Sequence, residues 1–220
     1  MSEGARLILL RHGETTHNAA GIYQGQLDTD LSARGVAQAA CAASGLALLS
    51  PTRIVSSDLR RAAHTAAVLG DRTALTVQHD PRLREIDVGA WSGRSHSDVV
   101  KDYPDETRAM GRGVDVRRGG HGESVHDVSL RTREVAIEVA ESMSPGEVVV
   151  LVTHGVAARA LLSALLGWSY EQAWLGVAGL RNCHWAELAH HRTGWRLVSW
   201  NASASVDDGF ETVPDGAPRP

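Results

Sequence analysis

Lysine is almost missing from this chain: of 22 basic residues only Lys101 is one, and the rest are arginine. There are two cysteines, Cys41 and Cys183, and a single phenylalanine. Cysteines so few and so far apart exclude a disulfide framework and a cysteine-rich zinc motif. Cys41, set among alanines, reads as a small core residue. Long apolar runs are also lacking: "LILL" stops at Arg11, and "VAARALLSALLGW" carries Arg159. Neither suits a signal-peptide core or a bilayer span, so a cytoplasmic protein with no membrane partner is expected. A formal charge of -4 gives no reason to expect nucleic acid as a partner.

What is present fits a folded protein. With 220 residues, 43% of them hydrophobic, the chain can bury one sizeable core. A single domain over residues 1–206 is expected, followed by a disordered tail over 207–220. The arginine excess suits oxyanion chemistry, although biased coding composition is the plainer reading for most of these arginines.

Strands and helices alternate along the sequence. "ARLILL" and "EVVVLVTH" are continuously apolar, as strands buried on both faces are. "RIVSS" and "LTVQHD" read as shorter strands, and "HWAELAHH" and "WRLVSWNAS" as a closing antiparallel pair. Helices are expected after Ser32, over "LRRAAHTAAVLGDR", after Ser124 with its Asp127, over "GVAARALLSALLG", and after Ser169 with its Gln172. The stretch from Asp80 to Gly122 has little period and reads as loop-rich, with one helix over "SHSDVVKDY". The order predicts an α/β fold, a three-layer sandwich with a mostly parallel central sheet and helices on both faces. Ligands of such sheets bind at the carboxyl ends of the strands.

The two most apolar strands both end in His-Gly, "LILLRHG" and "VVLVTHG". That rule sends His12 and His154 to one crevice, with Arg11 beside the first. Most of the 11 histidines are ordinary core or surface residues, but two at equivalent strand ends are hard to read that way. The segments after them, "ETTHN" and "VAARALL", can offer helix amides to an anion. No HExxH pattern occurs, and an arginine next to the histidines would repel a metal cation. No GxSxG elbow supports a serine hydrolase. Neutral imidazole as nucleophile and guanidinium as oxyanion clamp suit phosphoryl transfer.

"LLRHGET", "SSDLRRAAHTA", "RLREIDVGAW", "GHGES" and "VTHG" occur in this order and together resemble the histidine phosphatase superfamily, the phosphoglycerate mutase-like fold. The resemblance covers roughly residues 5 to 205. It implies His12 as the phosphoryl acceptor, Glu85 as general acid, and His154 completing the catalytic set. It implies Arg11, Asn18, Arg61 and the Gly155 amide as phosphate ligands, and no metal or organic cofactor. Arg61 rather than Arg60 is selected because it immediately precedes alanine in "LRRA", leaving Arg60 to the surface. Asp87 and Glu14 are runner-up acids, with Glu14 also a candidate partner of His12. The plain alternative for Glu85 is a salt bridge to Arg82 or Arg84.

The tyrosine-arginine-arginine-serine-phenylalanine block of the cofactor-dependent mutases is absent, which implies a phosphatase. "YQGQLDTDLS", "VSSDLRRA" and "WRLVSWNASA" resemble the glucosyl-3-phosphoglycerate phosphatase-type members more than the mutases, and place Gln24 at the substrate site. Few lysines and many arginines fit an actinobacterial source. "GHGES" and "DVGAW" depart from the family's usual residues beside the substrate. Arg108, Arg112, Arg117, Arg118 and His121 are candidates for a basic lid over a carboxylated substrate, against the plain reading as a solvated loop. The expected partner is thus a small phosphorylated molecule. A broad-specificity phosphatase, a ribazole-phosphate phosphatase, a phosphoglycerate mutase and an inactive phospho-ligand binder are the alternatives. The closing strands and Trp174, Trp185, Trp195 and Trp200 admit a homodimer, although such tryptophans more often belong to a core.

Overall fold

The computed structural model describes residues 4–204. The expected boundary at residue 206 and the tail beyond it lie outside the described residues. Strands β1 (Arg6–Arg11), β2 (Arg53–Ser56), β3 (Val77–His79), β4 (Val148–Thr153), β5 (Trp185–His191) and β6 (Gly194–Ala202) form one sheet. Their order is β3-β2-β4-β1-β5-β6. The first four run parallel, and the β5–β6 hairpin joins antiparallel at β1.

The helices are α1 (Thr16–Ala19), α2 (Ala33–Ala47), α3 (Arg60–Thr73), α4 (His96–Asp102), α5 (Pro104–Gly111), α6 (Val125–Ser142), α7 (Gly155–Leu166) and α8 (Tyr170–Gly176). Alternation along the strands assigns them to layers. Leu7, Leu9, Val149 and Leu151 share one core with α6 and α7, and Ile8, Leu10, Val150 and Val152 share another with α2 and α3. Each fully buried leucine or valine contributes about 1.5–3 kcal/mol relative to exposure. That double burial explains why β1 and β4 are continuously apolar in sequence. The three-layer α/β sandwich is the observed fold.

One expectation is extended and one is corrected. Residues 80–122 are loop-rich with α4 inside "SHSDVVKDY", and they also carry α5 and two 3-10 turns (Pro81–Leu83, Gly89–Trp91) that help enclose a third core of Tyr23, Ile86, Val88, Trp91, Val99 and Met110. Their apolar residues reach that core from short, irregular pieces, so no long period marks them, and Pro104 at the first position of α5 is the local signal for that helix. Cys41 is exposed, because α2 turns Ala39, Ala42, Ala43 and Leu46 inward and leaves position 41 outside. The four tryptophans are divided among the three cores, in line with the plainer reading.

Candidate active site

β1 and β4 are adjacent and in register, with Arg11 opposite Thr153. His12 and His154 therefore leave the sheet side by side, their ring centroids 5.0 Å apart. The tip of β1 is fixed by glycines. A Cβ on Gly13 would lie 2.5 Å from Gly35 O, and one on Gly35 would lie 2.0 Å from Glu14 O. Backbone thus packs on backbone where β1 meets the first turn of α2, and the Gly13 amide donates to Thr65 Oγ1.

The His12 ring is held at both nitrogens. Nδ1 lies 2.7 Å from Gly13 O, an acceptor only, so Nδ1 carries the proton. Nε2 keeps its lone pair and accepts from Arg61 Nε at 3.3 Å. Burial first, then the charges of Arg61 and Arg11, hold the His12 pKa well below its ordinary value. At neutral pH the ring is an uncharged imidazole whose free lone pair is on Nε2.

Arg61, from the first turn of α3, is 1% exposed. Its Nη1 and Nη2 donate to Leu27 O and Gly25 O, both at 2.7 Å. Burial brings its pKa to about 10, which leaves it charged at neutral pH. Arg60 instead pairs at the surface with Asp30. Arg11 donates Nη1 to Leu180 O at 2.6 Å, while its Nε is buried with no partner. Gly155 lies against that guanidinium, since a Cβ there would meet Arg11 Cζ at 3.4 Å.

Glu85 makes no salt bridge to Arg82 or Arg84, which pair with Asp80 and Glu138 and with Asp58. Its carboxylate accepts from the amides of Ala157 (3.0 Å), Val156 (3.3 Å) and Ile86 (3.0 Å). The N-terminal amides of α7 therefore face a carboxylate of the protein itself. The other expected anion site, at "ETTHN", is the four-residue α1, closed by a capping box between Thr15 and Asn18. Glu14 bonds Ser32 and lies near Arg34 rather than serving His12, and Asp87 accepts from the Gly89 amide. Neither lines the cleft described below.

Arg11, His12, Asn18, Gln24, Arg61, Glu85 and Gly155 all line one open cleft, in which Glu85 is the sole carboxylate among the described residues. Ile22, Tyr23, Val88, Met110 and Trp174 add an apolar wall. Asn18 Oδ1 accepts from Thr15 and Asn182, and Gln24 Oε1 accepts from Thr15 and Thr29 hydroxyls. His154 is not on the cleft wall. It sits behind with Nε2 2.9 Å from Ser57 Oγ and Nδ1 buried without a partner. Burial, then Arg61, hold its pKa well below the ordinary value too. Of the five residues expected in a basic lid, Arg118 alone lines the cleft. Arg108 and Arg117 bond Asp105 and Asp127 instead. Among the described residues, no group of three or more His, Cys, Asp or Glu side chains is placed to hold a metal.

Four supporting residues carry no role in the sequence reading. Ser57 directly follows β2, so the strand-end rule that found His12 and His154 reaches it as well. Asn182 donates to His12 O at 3.0 Å. Glu123, inside "GHGES", takes two hydrogen bonds from Arg131, whose Nη1 and Nη2 also hold the carbonyls of Arg82, Arg84 and Glu85. That pair fixes the loop bearing Glu85. No local pattern marks Asn182 or Arg131, because their partners are distant in sequence.

Comparison with known proteins agrees with this geometry. The family model of the histidine phosphatase superfamily (branch 1) matches residues 7–203. Glucosyl-3-phosphoglycerate phosphatase of Mycobacterium tuberculosis is 41% identical over 216 residues, covering 91% of this chain and 96% of that protein. A probable phosphoglycerate mutase GpmB of Yersinia pestis is 32% identical, covering 95% and 96%. A solved mycobacterial glucosyl-3-phosphoglycerate phosphatase in complex with inorganic phosphate superposes with a TM-score of 0.82 at 42% identity, covering 90% and 98%. The chain belongs to the histidine phosphatase superfamily, branch 1.

Proposed function

We propose that this histidine phosphatase hydrolyses phosphomonoesters without a metal, through a phosphohistidine at His12, and that its substrate is glucosyl-3-phosphoglycerate or a close relative. The observation that carries the mechanism is the state of His12: neutral, with Nδ1 proton-bearing against Gly13 O and Nε2 in the cleft beside Arg61. His12 Nε2 attacks phosphorus as the ester P–O bond breaks, and the leaving oxygen takes a proton by way of Glu85. Water then attacks the phosphohistidine, returns a proton to Glu85, and releases phosphate with the His12 lone pair restored. Arg11 and Arg61 offset the charge on the equatorial oxygens. His154, behind the cleft wall, packs its ring against His12 and is fixed through Nε2 by Ser57 Oγ, so it positions the His12 ring. Asn18 and the Gly155 amide add hydrogen bonds, and Gln24 faces the rest of the substrate.

The cleft's apolar wall beyond the arginines supports a substrate larger than phosphate, and the 41% identity to glucosyl-3-phosphoglycerate phosphatase of Mycobacterium tuberculosis over most of both chains supports its identity. A cytoplasmic location and an actinobacterial source belong to the same reading, the second supported by the mycobacterial relatives. Phosphate release from glucosyl-3-phosphoglycerate and 3-phosphoglycerate, measured with EDTA present, tests it. A kcat/KM preference for the glucosylated compound of about 100-fold, or about 2.7 kcal/mol, is expected. Equal slow rates would reduce the substrate claim to a broad phosphatase, and isomerisation of 3-phosphoglycerate without phosphate release would mean a mutase. His12→Ala should abolish turnover, and a variant retaining most of the rate would overturn the phosphohistidine route.

A further inference from the structure

Thr65 interrupts the alanines of α3 at a position only 1% exposed. A β-branched hydroxyl residue forms helix less readily than alanine, so burying one there calls for a use of the hydroxyl. Thr65 stands one turn after Arg61 on the same face of α3, against the tip of β1. Its Oγ1 donates to Arg61 O at 2.7 Å and accepts from the Gly13 amide at 3.1 Å. Neither bond can reverse, because a carbonyl only accepts and an amide N–H only donates. Gly13 O in turn accepts from His12 Nδ1, and Arg61 Nε donates to His12 Nε2. The four bonds close on themselves: His12 donates to Gly13, Gly13 to Thr65, Thr65 to Arg61, and Arg61 back to His12. All four residues are buried.

We propose that Thr65 is a positioning residue for the nucleophile: its hydroxyl closes a one-way ring of hydrogen bonds that keeps the His12 proton on Nδ1 and Nε2 aligned with Arg61. Gly13 has no side chain to restrict its rotation, so the bond from its amide to Thr65 governs how its carbonyl meets the imidazole. The other bond of the hydroxyl ties that glycine to the helical turn bearing Arg61. His12 and Arg61 are 49 positions apart in sequence, and Thr65 joins their two segments into one unit. Bonds in such a chain polarise one another, so losing one weakens the rest. This role rests on the phosphatase reading above and adds to it a residue that does not line the cleft.

Thr65→Val keeps the shape and removes the hydroxyl, whereas Thr65→Ser keeps the hydroxyl. With p-nitrophenyl phosphate as substrate, Thr65→Val should lower kcat about 10- to 100-fold, the scale of a misplacement of up to about 1 Å, with KM within about threefold. Thr65→Ser should recover most of that rate. A wild-type kcat in Thr65→Val, a loss confined to KM, or equal losses in both variants overturns the proposal. Histidine-ring 15N NMR at pH 7 reads the nucleophile directly, its signal identified by its absence from His12→Asn. Wild type and Thr65→Ser should show the Nδ1-protonated tautomer, and Thr65→Val a mixture of the two tautomers. An Nε2-protonated ring in wild type overturns the proposal with no variant needing to fold, and so does an unchanged tautomer in folded Thr65→Val. If wild type released no phosphate from p-nitrophenyl phosphate, the phosphatase reading would fail, while the tautomers would still decide the role of Thr65.

Discussion

Arg61 donates from Nε, Nη1 and Nη2 to three acceptors, His12 Nε2, Leu27 O and Gly25 O. Only a planar fork meets all three, so lysine is not a conservative replacement here. Arg61→Lys would leave buried carbonyls unpaired at roughly 1–3 kcal/mol each and would remove a fixed donor from the cleft. Its kcat/KM is expected to fall about 100- to 1000-fold, with a lower unfolding midpoint. Arg60, one position earlier, is 59% exposed and bound to Asp30, so Arg60→Ala should stay within about 0.5 kcal/mol in stability and near wild type in rate. Steady-state kinetics on the two variants decides the one-position choice that the "LRRA" motif leaves to resemblance. The reverse pattern would place the wrong arginine in the cleft.

At the scale of elements, the tip of β1 depends on how closely α2 approaches it. Gly35→Ala would drive a Cβ to 2.0 Å from Glu14 O, a clash that only backbone movement relieves. A loss of more than about 2 kcal/mol is expected, together with a rate defect, because Gly13 and His12 must move with Glu14. Gly111, the last residue of α5, has open space around its Cβ position and no positive φ, so Gly111→Ala should stabilise by about 0.4–1 kcal/mol. Urea denaturation of the pair measures both signs. The same contrast explains what was legible in the sequence. β1 and β4 announce themselves because burial on two faces demands unbroken apolar runs, and their shared His-Gly ends place the site. The contacts that aim its groups join distant segments: Ser57 to His154, Asn182 to His12, Arg131 to the Glu85 loop. Periodicity carries no trace of such pairings. Arg108 and Arg117 looked equivalent to Arg118 as letters, and only the fold separates one buried guanidinium from two that meet surface aspartates.

The whole molecule holds two adjacent imidazoles neutral in its interior, and its stability must register this as pH changes. Burial, followed by the nearby arginine charges, keeps His12 and His154 well below their ordinary pKa of 6.5. The unfolded chain takes up a proton on each near that value, while the folded protein does so only at much lower pH. Stability from this source is therefore complete above about pH 6.5 and is lost as pH falls below it, at up to about 2.7 kcal/mol per pH unit for the two rings together. The paired carboxylates act in a separate window. Asp58, Asp127 and Glu138 have lowered values owing chiefly to hydrogen bonds, and their share is lost only below their ordinary values of 3.8 to 4.5. Between pH 7 and pH 5 the histidines dominate. Urea midpoints should fall steeply across that range in wild type and stay much flatter in the His12→Asn/His154→Asn double variant, which keeps polar amides but removes the titration. A wild-type midpoint that holds constant from pH 7 to pH 5 would show that both rings accept protons in the folded state as readily as in water. The proposal of a neutral His12 nucleophile would then lose its structural basis, since His12 would be largely protonated over the acidic half of that range.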